Sequence, residues 1–194
     1  RPDSACALRA DLNNPQQIKQ LATSAVTAWG QLDLLINNAS SFFPTPLESS
    51  SETQWDNLLN SNLKAPYFLC STLAPALRRS HGAIINLVDI HAQRALTGYP
   101  IYSIAKAGLQ MLTLSMAKEL APSVRVNGVA PGPILWPEDA AALNDAEKQR
   151  IIDKTLLQRA GSPQDIADTV LFLATQGFIT GQIIAVDGGK SLYS

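Results

Sequence analysis

Cysteine, charge and long apolar runs are all scarce in this chain of 194 residues. The only two cysteines, Cys6 and Cys70, lack neighbours at metal-ligand spacing, so we expect free, buried thiols in a reducing compartment and no metal site. No apolar run approaches the ~20 residues that a membrane-spanning helix needs, and no signal peptide is recognisable. These absences predict a soluble, cytoplasmic protein.

Charged residues make up only 16% of the chain, whereas soluble domains average about 25%. The net charge is −1, and the largest basic cluster is the pair Arg78–Arg79. Nucleic acids and acidic membrane surfaces are therefore poor candidates as partners. A low charge fraction instead favours strands that are buried on both faces of a sheet, or a subunit that associates.

Apolar strand patterns alternate with helical patterns along the chain. The predicted strands cover residues 5–8, 32–36, 82–88, 124–130 and 183–186. The predicted helices cover residues 15–29, 53–79 with a bend near Pro66, a stretch from Tyr102 to about Leu120, 139–154 and 163–174. This alternation predicts a single α/β domain with a parallel sheet covered on both sides, which binds ligands at the carboxyl ends of its strands.

Tyr102 and Lys106 lie four residues apart in a predicted helix, so their side chains project from the same face. A phenol has a pKa of about 10, and proton transfer near pH 7 requires a shift of roughly 3 units, or ~4 kcal/mol. An ammonium about 4 Å away supplies approximately that energy at an effective dielectric constant of about 20. We therefore expect Lys106 to lower the pKa of Tyr102, although such pairs are also common on helix surfaces.

Three polar motifs follow predicted strands and should meet at one edge of the sheet. They are Asn38-Ala39-Ser40, Asp89 and Pro131-Gly132. Asp89 lies thirteen residues before Tyr102 and supplies a second acid. Together with Asn62, these residues predict a catalytic site for proton transfer rather than a surface pair.

Over essentially its whole length the chain resembles the short-chain dehydrogenase/reductase family. The matching motifs, in the order of the family, are Asp11-Leu12, Asn37-Asn38-Ala39, Asn62, the Tyr102–Lys106 pair, Pro131-Gly132 and Val186-Asp187-Gly188-Gly189. The resemblance implies a Rossmann-like, doubly wound sheet. It also implies that Tyr102 protonates the reduced atom. Lys106 would lower the pKa of Tyr102 and hold the nicotinamide ribose, and Asn62 would support a proton relay.

The same resemblance implies which residues contact the dinucleotide. Asp11, with Leu12 beside it, would meet the adenine. The remaining implied cofactor contacts are Asn38, Ala39, Ser40, Tyr102, Lys106, Pro131, Gly132 and Ile134.

Asp89 stands where most family members have a serine that hydrogen-bonds a substrate carbonyl. This departure is one of three features that resemble the pteridine reductase branch. The other two are the stretches Asn37-Asn38-Ala39-Ser40-Ser41-Phe42 and Pro44-Thr45-Pro46. That likeness implies NADPH-dependent reduction of a pterin, in which Asp89 delivers a proton, Phe42 stacks on the pterin ring, and Ser40 contacts the pterin and the cofactor phosphate. Leu135 and Trp136 are candidates to cap the substrate, and plain packing is the alternative for both and for Phe42.

The chemistry of pterin reduction also accounts for two acids. Each reduced C=N bond takes a hydride on carbon and a proton on nitrogen, and an oxidised pterin has two such bonds at different edges. Tyr102 and Asp89 can serve one nitrogen each, Asp89 directly or through water. Two alternatives stay open: a carbonyl reductase of acyl or sugar substrates, and a dinucleotide-binding module without turnover, which has no need of a tuned acid.

A glycine-rich phosphate-binding turn is absent from these 194 residues, although a nicotinamide enzyme of this fold carries one after its first strand. We therefore expect the domain to lack the first two strands and the intervening helix of the family, and the 194 residues alone to be inactive. The strand at 5–8 should be separated from the sheet, and the edge at 32–36 should be exposed.

The choice of NADPH over NADH rests on the resemblance alone. The apolar helix after Tyr102 predicts association, together with the preceding long helix, into the dimer or tetramer that is usual in the family. Burial of that helix within its own domain is the alternative.

Overall fold

The computed structural model describes residues 4–136 and 142–192, which are organised around a parallel sheet. Its strands are β1 (Leu34–Asn37), β2 (Ala83–Leu87), β3 (Arg125–Pro131) and β4 (Ile183–Val186), in the spatial order β1-β2-β3-β4. All three pairings are parallel. Because parallel neighbours need long crossovers, every carboxyl end reaches the same edge of the sheet.

Helices supply the crossovers between these strands. In the described residues they are α1 (Pro15–Trp29), α2 (Glu52–Leu59), α3 (Ala65–Ser80), α4 (Pro100–Leu120), α5 (Asp145–Asp153) and α6 (Pro163–Thr175). A π-helical segment (Asn60–Lys64) joins α2 to α3, and short 3-10 turns occur at Ile90–Ala92 and Lys190–Leu192. No helix in the described part of the chain is long and apolar enough to cross a bilayer.

The two ends of α1 show why the sequence specifies this helix. The Asn14 side chain accepts hydrogen bonds from the backbone N–H groups of Gln16 and Gln17, and Pro15 occupies the first turn. Gly30 ends the helix with φ 72°, a left-handed conformation that glycine adopts without strain. The predicted bounds of this helix are confirmed.

Apolar side chains cover both faces of the sheet. On one face Ile84 and Val126 belong to a core with Leu77 of α3 and Leu120 of α4. The core on the other face is formed by Ile85, Leu87 and Val129 of the sheet with Val170 and Leu173 of α6. A parallel sheet between helical layers confirms the predicted Rossmann-like α/β fold.

Residues 5–8 form no strand, so that prediction was wrong. They are exposed and pair with none of the described strands, and a strand is stable only when its N–H and C=O groups have partners. Cys6 is exposed as well, contrary to the expectation of burial, whereas Cys70 is buried. Ile36 of β1 is 43% exposed, in agreement with the expected open edge.

The predicted helix 53–79 is divided by a π-helical segment rather than bent at Pro66. Pro66 lies in the first turn of α3, where the missing N–H of proline is tolerated. The start of α5 was also predicted too early, because this helix begins at Asp145 after an Asn144 cap. The predicted start at Asp139 lies outside the described residues.

A buried hydrogen-bond chain ties the sheet to α4. Asn37 Nδ2 donates to Asn86 Oδ1 at 2.8 Å, and Asn86 Nδ2 donates to Thr113 Oγ1 at 2.9 Å. Thr113 in turn donates to the Leu109 carbonyl at 2.8 Å. Because buried polar groups are costly when unpaired, these bonds fix α4 relative to β1 and β2.

We predict that Asn86→Leu lowers the free energy of unfolding by about 2–4 kcal/mol, because it leaves Asn37 and Thr113 without their shared partner. Urea unfolding followed by circular dichroism measures the loss. The same substitution at exposed Asn57 is the control and should change stability by less than about 0.5 kcal/mol. Equal effects at the two positions would contradict the role of the chain.

Candidate active site

Asp89 and Tyr102 are brought together where β2 ends and α4 begins. Asp89 Oδ1 accepts the backbone N–H of His91 at 2.8 Å and so caps the short turn after β2. The second oxygen, Oδ2, accepts a hydrogen bond from the Tyr102 hydroxyl at 2.8 Å. Both carboxylate oxygens therefore act as acceptors, and the orientation of Asp89 is fixed by its own backbone.

Lys106 lies one helical turn after Tyr102 and is buried. Its ammonium donates to the Leu87 carbonyl at 2.9 Å and lies 5.7 Å from the centroid of the Tyr102 ring. A lysine ammonium carries three N–H donors, and one of them is used on β2. This bond ties α4 to β2, the strand that precedes Asp89.

The net lowering of the Tyr102 pKa that was expected from Lys106 is not seen in this arrangement. Burial raises the pKa of Tyr102, and the charge and hydrogen bond of Asp89 raise it further, while the Ser40 hydroxyl acts in the opposite direction. Burial lowers the pKa of Lys106 to about 8, against the attraction of Asp89. Burial and the neighbouring Asp89 carboxylate therefore keep the phenol protonated.

Asn62 positions the loop that follows β1. It sits in the π-helical segment, a geometry often found at functional sites, and is fully buried. Ser40 Oγ donates to Asn62 Oδ1 at 2.7 Å, and Asn62 Nδ2 donates to the Ser41 and Leu58 carbonyls at 3.0 Å each. These bonds hold Ser40 toward Tyr102, and the proton-relay role of Asn62 stays a prediction.

Phe42 lies among tyrosines at the wall of a cavity. Its ring is stacked on Tyr99 with centroids 4.6 Å apart and an interplanar angle of 9°. It meets Tyr102 edge-on at 4.9 Å and 81°. Sequence reasoning missed Tyr99, although its position three residues before Tyr102 places both on one side of α4.

A cavity of about 610 Å³ opens over these side chains. Five predicted substrate or catalytic residues line it: Phe42, Asp89, Tyr102, Leu135 and Trp136. Sequence reasoning missed other lining residues, among them Ile90, His91, Leu96, Tyr99, Arg150, Ile151, Lys154 and Lys190. The spacing of Arg150 and Lys154, four apart on α5, is the signal that could have placed both on one face.

The predicted cofactor residues are divided between two other cavities and the surface. A trough of about 890 Å³ is lined by Asn38, Ser40, Lys106, Pro131 and Ile134, and it shares Asp89 and Tyr102 with the first cavity. Leu12 and Ala39, again with Asn38, line a smaller cavity of about 280 Å³.

The two remaining predicted cofactor residues line neither the trough nor the smaller cavity. Asp11 is exposed before α1, where its carboxylate accepts the N–H of Asn13 at 2.9 Å. Gly132 lines the 610 Å³ cavity and packs against Asp187, because a Cβ on Gly132 would lie 2.6 Å from that of Asp187. No cluster of His, Cys, Asp or Glu among residues 4–136 and 142–192 could hold a metal ion.

Comparison with known proteins agrees with this fold. A family model described as enoyl-(acyl carrier protein) reductase matches residues 2–191. Pteridine reductase 1 of Leishmania tarentolae is 36% identical over 233 aligned positions, which cover 99% of this chain and 80% of that protein. The 3-oxoacyl-[acyl-carrier-protein] reductase FabG of Staphylococcus epidermidis is 36% identical over 187 positions, covering 94% of this chain and 76% of that protein.

Among solved structures, an apo SCOR enzyme from Clostridium thermocellum superposes with a TM-score of 0.86 at 33% identity, covering 96% of this chain and 74% of that one. Fold and site together define an α/β oxidoreductase with a tyrosine–lysine pair. The chain belongs to the short-chain dehydrogenase/reductase family. Both pterin and acyl reductases occur among its similar relatives.

The lowered pKa of Lys106 predicts a specific pH dependence of stability. Between about pH 8 and pH 10 the unfolded chain keeps the lysine proton that the folded chain loses, so the free energy of unfolding rises with pH. Lys106→Met should remove roughly 2 kcal/mol of that rise, which urea unfolding at the two pH values measures. Lys19→Met, at an exposed position of α1, should leave the rise unchanged. Equal curves for all three proteins would show that Lys106 is not buried.

Proposed function

We propose that this domain serves in the reduction of a pterin with hydride from NADPH, and that Tyr102 and Asp89 handle the protons. The observation that carries this proposal is the 2.8 Å hydrogen bond that couples the two acids at the wall of the 610 Å³ cavity. The 36% identity to a pteridine reductase supports the substrate, and the choice of NADPH follows from the resemblance of the sequence motifs.

The geometry makes Tyr102 a proton donor. Its pKa is raised by burial and by Asp89, so the phenol carries its proton at neutral pH. A substrate nitrogen that enters the cavity competes with Asp89 for that proton. After transfer, the resulting phenolate lies near the Lys106 ammonium, which stabilises the negative charge.

Asp89 is suited to a nitrogen heterocycle better than to a ketone. A serine hydroxyl donates a hydrogen bond to a carbonyl oxygen, whereas an ionised carboxylate can only accept one. Both oxygens of Asp89 accept hydrogen bonds, from His91 N–H and from Tyr102. The N–H and amino groups of a pterin are donors that match this acceptor. Asp89 can also pass a proton on through water.

The aromatic wall suits a planar substrate. Phe42 and Tyr99 present nearly parallel rings, and Trp136 lines the same cavity. Planar heterocycles gain dispersion and quadrupole energy against such surfaces, of the order of 1 kcal/mol beyond the burial of area. Leu135 lines both cavities and so separates the substrate side from the trough.

The residues around the 890 Å³ trough fit a nicotinamide dinucleotide. Lys106 has two N–H donors beyond the one that it uses on Leu87, which suits ribose hydroxyls. Asn38 and Ser40 add polar groups, and Val170 contributes an apolar wall. The bound dinucleotide supplies the hydride that is added to carbon. Tyr102 lines both cavities, so the substrate atom that it protonates would lie next to the atom that takes the hydride.

Similarity to a 3-oxoacyl reductase supports a second candidate, reduction of a ketone. The two functions differ in what they require of Asp89. In the native protein, comparison of a dihydropterin with a β-ketoester as substrates separates them.

We predict that Asp89→Ser lowers kcat/KM for dihydrobiopterin by roughly 100-fold, because a general acid or base of this kind contributes about that factor. The Kd for NADPH, measured by fluorescence, should change less than about twofold. Asp56→Ser, at an exposed position of α2, is the control and should change neither quantity. Equal losses of turnover and NADPH affinity would contradict the assigned role, and a gain in ketone reduction would favour the second candidate.

We also propose that the protein is a cytoplasmic homodimer or homotetramer. Large apolar side chains are exposed on the outer surfaces of α3 and α4, namely Tyr67, Phe68, Ile104 and Met111. Such a patch is typical of subunit contacts. Tyr102, on the same helix as Ile104 and Met111, is buried, so α4 has an apolar exposed side in addition to its core side.

We predict that Ile104→Glu combined with Met111→Glu converts the native assembly into a smaller species, because two charges cannot be buried at an apolar contact. Light scattering after gel filtration measures the mass. Leu47→Glu, at an exposed loop residue, should leave the mass unchanged. A monomeric native protein, or an unchanged mass in the double variant, would contradict this interface.

A further inference from the structure

Three cations line the substrate cavity. Arg150 and Lys154 are four residues apart around the C-terminal end of α5, and Lys190 follows β4 in a short turn. Among the described residues that line this cavity, Asp89 is the only carboxylate, and it accepts from Tyr102 and His91 N–H. The cavity therefore combines an aromatic wall with a positively charged wall.

Nearby carboxylates have other partners. Asp187 accepts the backbone N–H groups of Gly189 at 2.9 Å and Ser191 at 2.7 Å. In the described part of the chain, the salt bridges join Lys148 to Asp145 and Arg159 to Asp165, and none involves a cavity cation. Among the described residues, no salt bridge occupies Arg150, Lys154 or Lys190, so all three are available to a ligand.

The cations also lie close enough to influence one another. Burial lowers the pKa of Lys190, and the positive charge of Lys154 lowers it further, while Asp187 opposes this effect. Like charges that face one cavity repel, and an anion between them relieves the repulsion.

We propose that Arg150, Lys154 and Lys190 form a subsite for an anionic tail of the substrate, with the reduced ring placed against Phe42 and Tyr102. The preferred substrate then carries a carboxylate or phosphate remote from the ring. An arginine binds either group through two parallel N–H donors, and lysines add point charges. This inference rests on the proposed function, since the ring site is the pterin site.

The test compares substrates that share a ring and differ in tail charge. For Arg150→Gln combined with Lys154→Gln, we expect KM for dihydrofolate, which carries two carboxylates, to rise about fivefold to tenfold. The KM for neutral dihydrobiopterin should change less than about twofold. Dihydroneopterin triphosphate tests a phosphate tail in the same way. The larger of the two increases in KM identifies the favoured anion.

Lys148→Gln provides the matched control, because it removes one charge from the same helix at a residue that does not line the cavity. It should leave every KM unchanged. Parallel changes for charged and neutral substrates, or no change for either, would overturn the subsite. No change in KM for either substrate is the result expected if the three cations form only a solvated basic surface without a ligand.

Failure of the subsite and failure of the proposed function can be told apart. If the native protein reduces no pterin, the proposed function fails, and acetoacetyl-CoA against ethyl acetoacetate becomes the charged and neutral pair for the subsite. Calorimetric binding of p-aminobenzoyl-L-glutamate gives a readout without turnover. We expect binding to the native protein and at least a fivefold loss in the double variant. Absence of binding to the native protein would overturn the carboxylate arm.

Discussion

The hydrogen bond between Tyr102 and Asp89 is the interaction on which the rest of the site depends. It joins the first turn of α4 to the loop that follows β2, and the bond from Lys106 to the Leu87 carbonyl makes a second link between the same elements. Burial of the phenol and the neighbouring Asp89 carboxylate keep Tyr102 protonated. An acid whose nearest neighbour is a carboxylate keeps its proton until a substrate competes for it.

The fold serves this site by fixing α4. The buried chain from Asn37 through Asn86 to Thr113 binds the helix to the sheet, and the π-helical segment turns Asn62 to hold Ser40. Because the strands are parallel, the loops after β1, β2 and β3 converge at one edge. Two cavities meet there, and Tyr102 lines both.

Membership of the short-chain dehydrogenase/reductase family leaves the substrate open, since a pteridine reductase and a 3-oxoacyl reductase are equally identical to this chain at 36%. The difference lies in single side chains. Asp89 offers acceptors where a ketone needs a donor, and the stacked Phe42–Tyr99 pair offers a flat surface. Arg150, Lys154 and Lys190 line the same cavity and give it a positively charged wall.

Sequence alone determined the class of fold, because short continuous apolar runs that alternate with stretches of helical period admit few alternatives. It also predicted that Asp89, at a strand end, shares one site with Tyr102, and the structure places the two side chains in contact. It could not determine that residues 5–8 stay unpaired, because a strand requires a neighbour as well as apolar residues.

Tertiary structure decided the electrostatics of the site. Helical spacing placed Lys106 beside Tyr102, but only the packed structure shows its ammonium bonded to β2 and the phenol bonded to Asp89. Arg150 and Lys190 are likewise distant in the sequence, and the packed structure brings α5 and the turn after β4 to one cavity. Which charges a side chain meets depends on distances in three dimensions, and spacing along the chain specifies only those within one element.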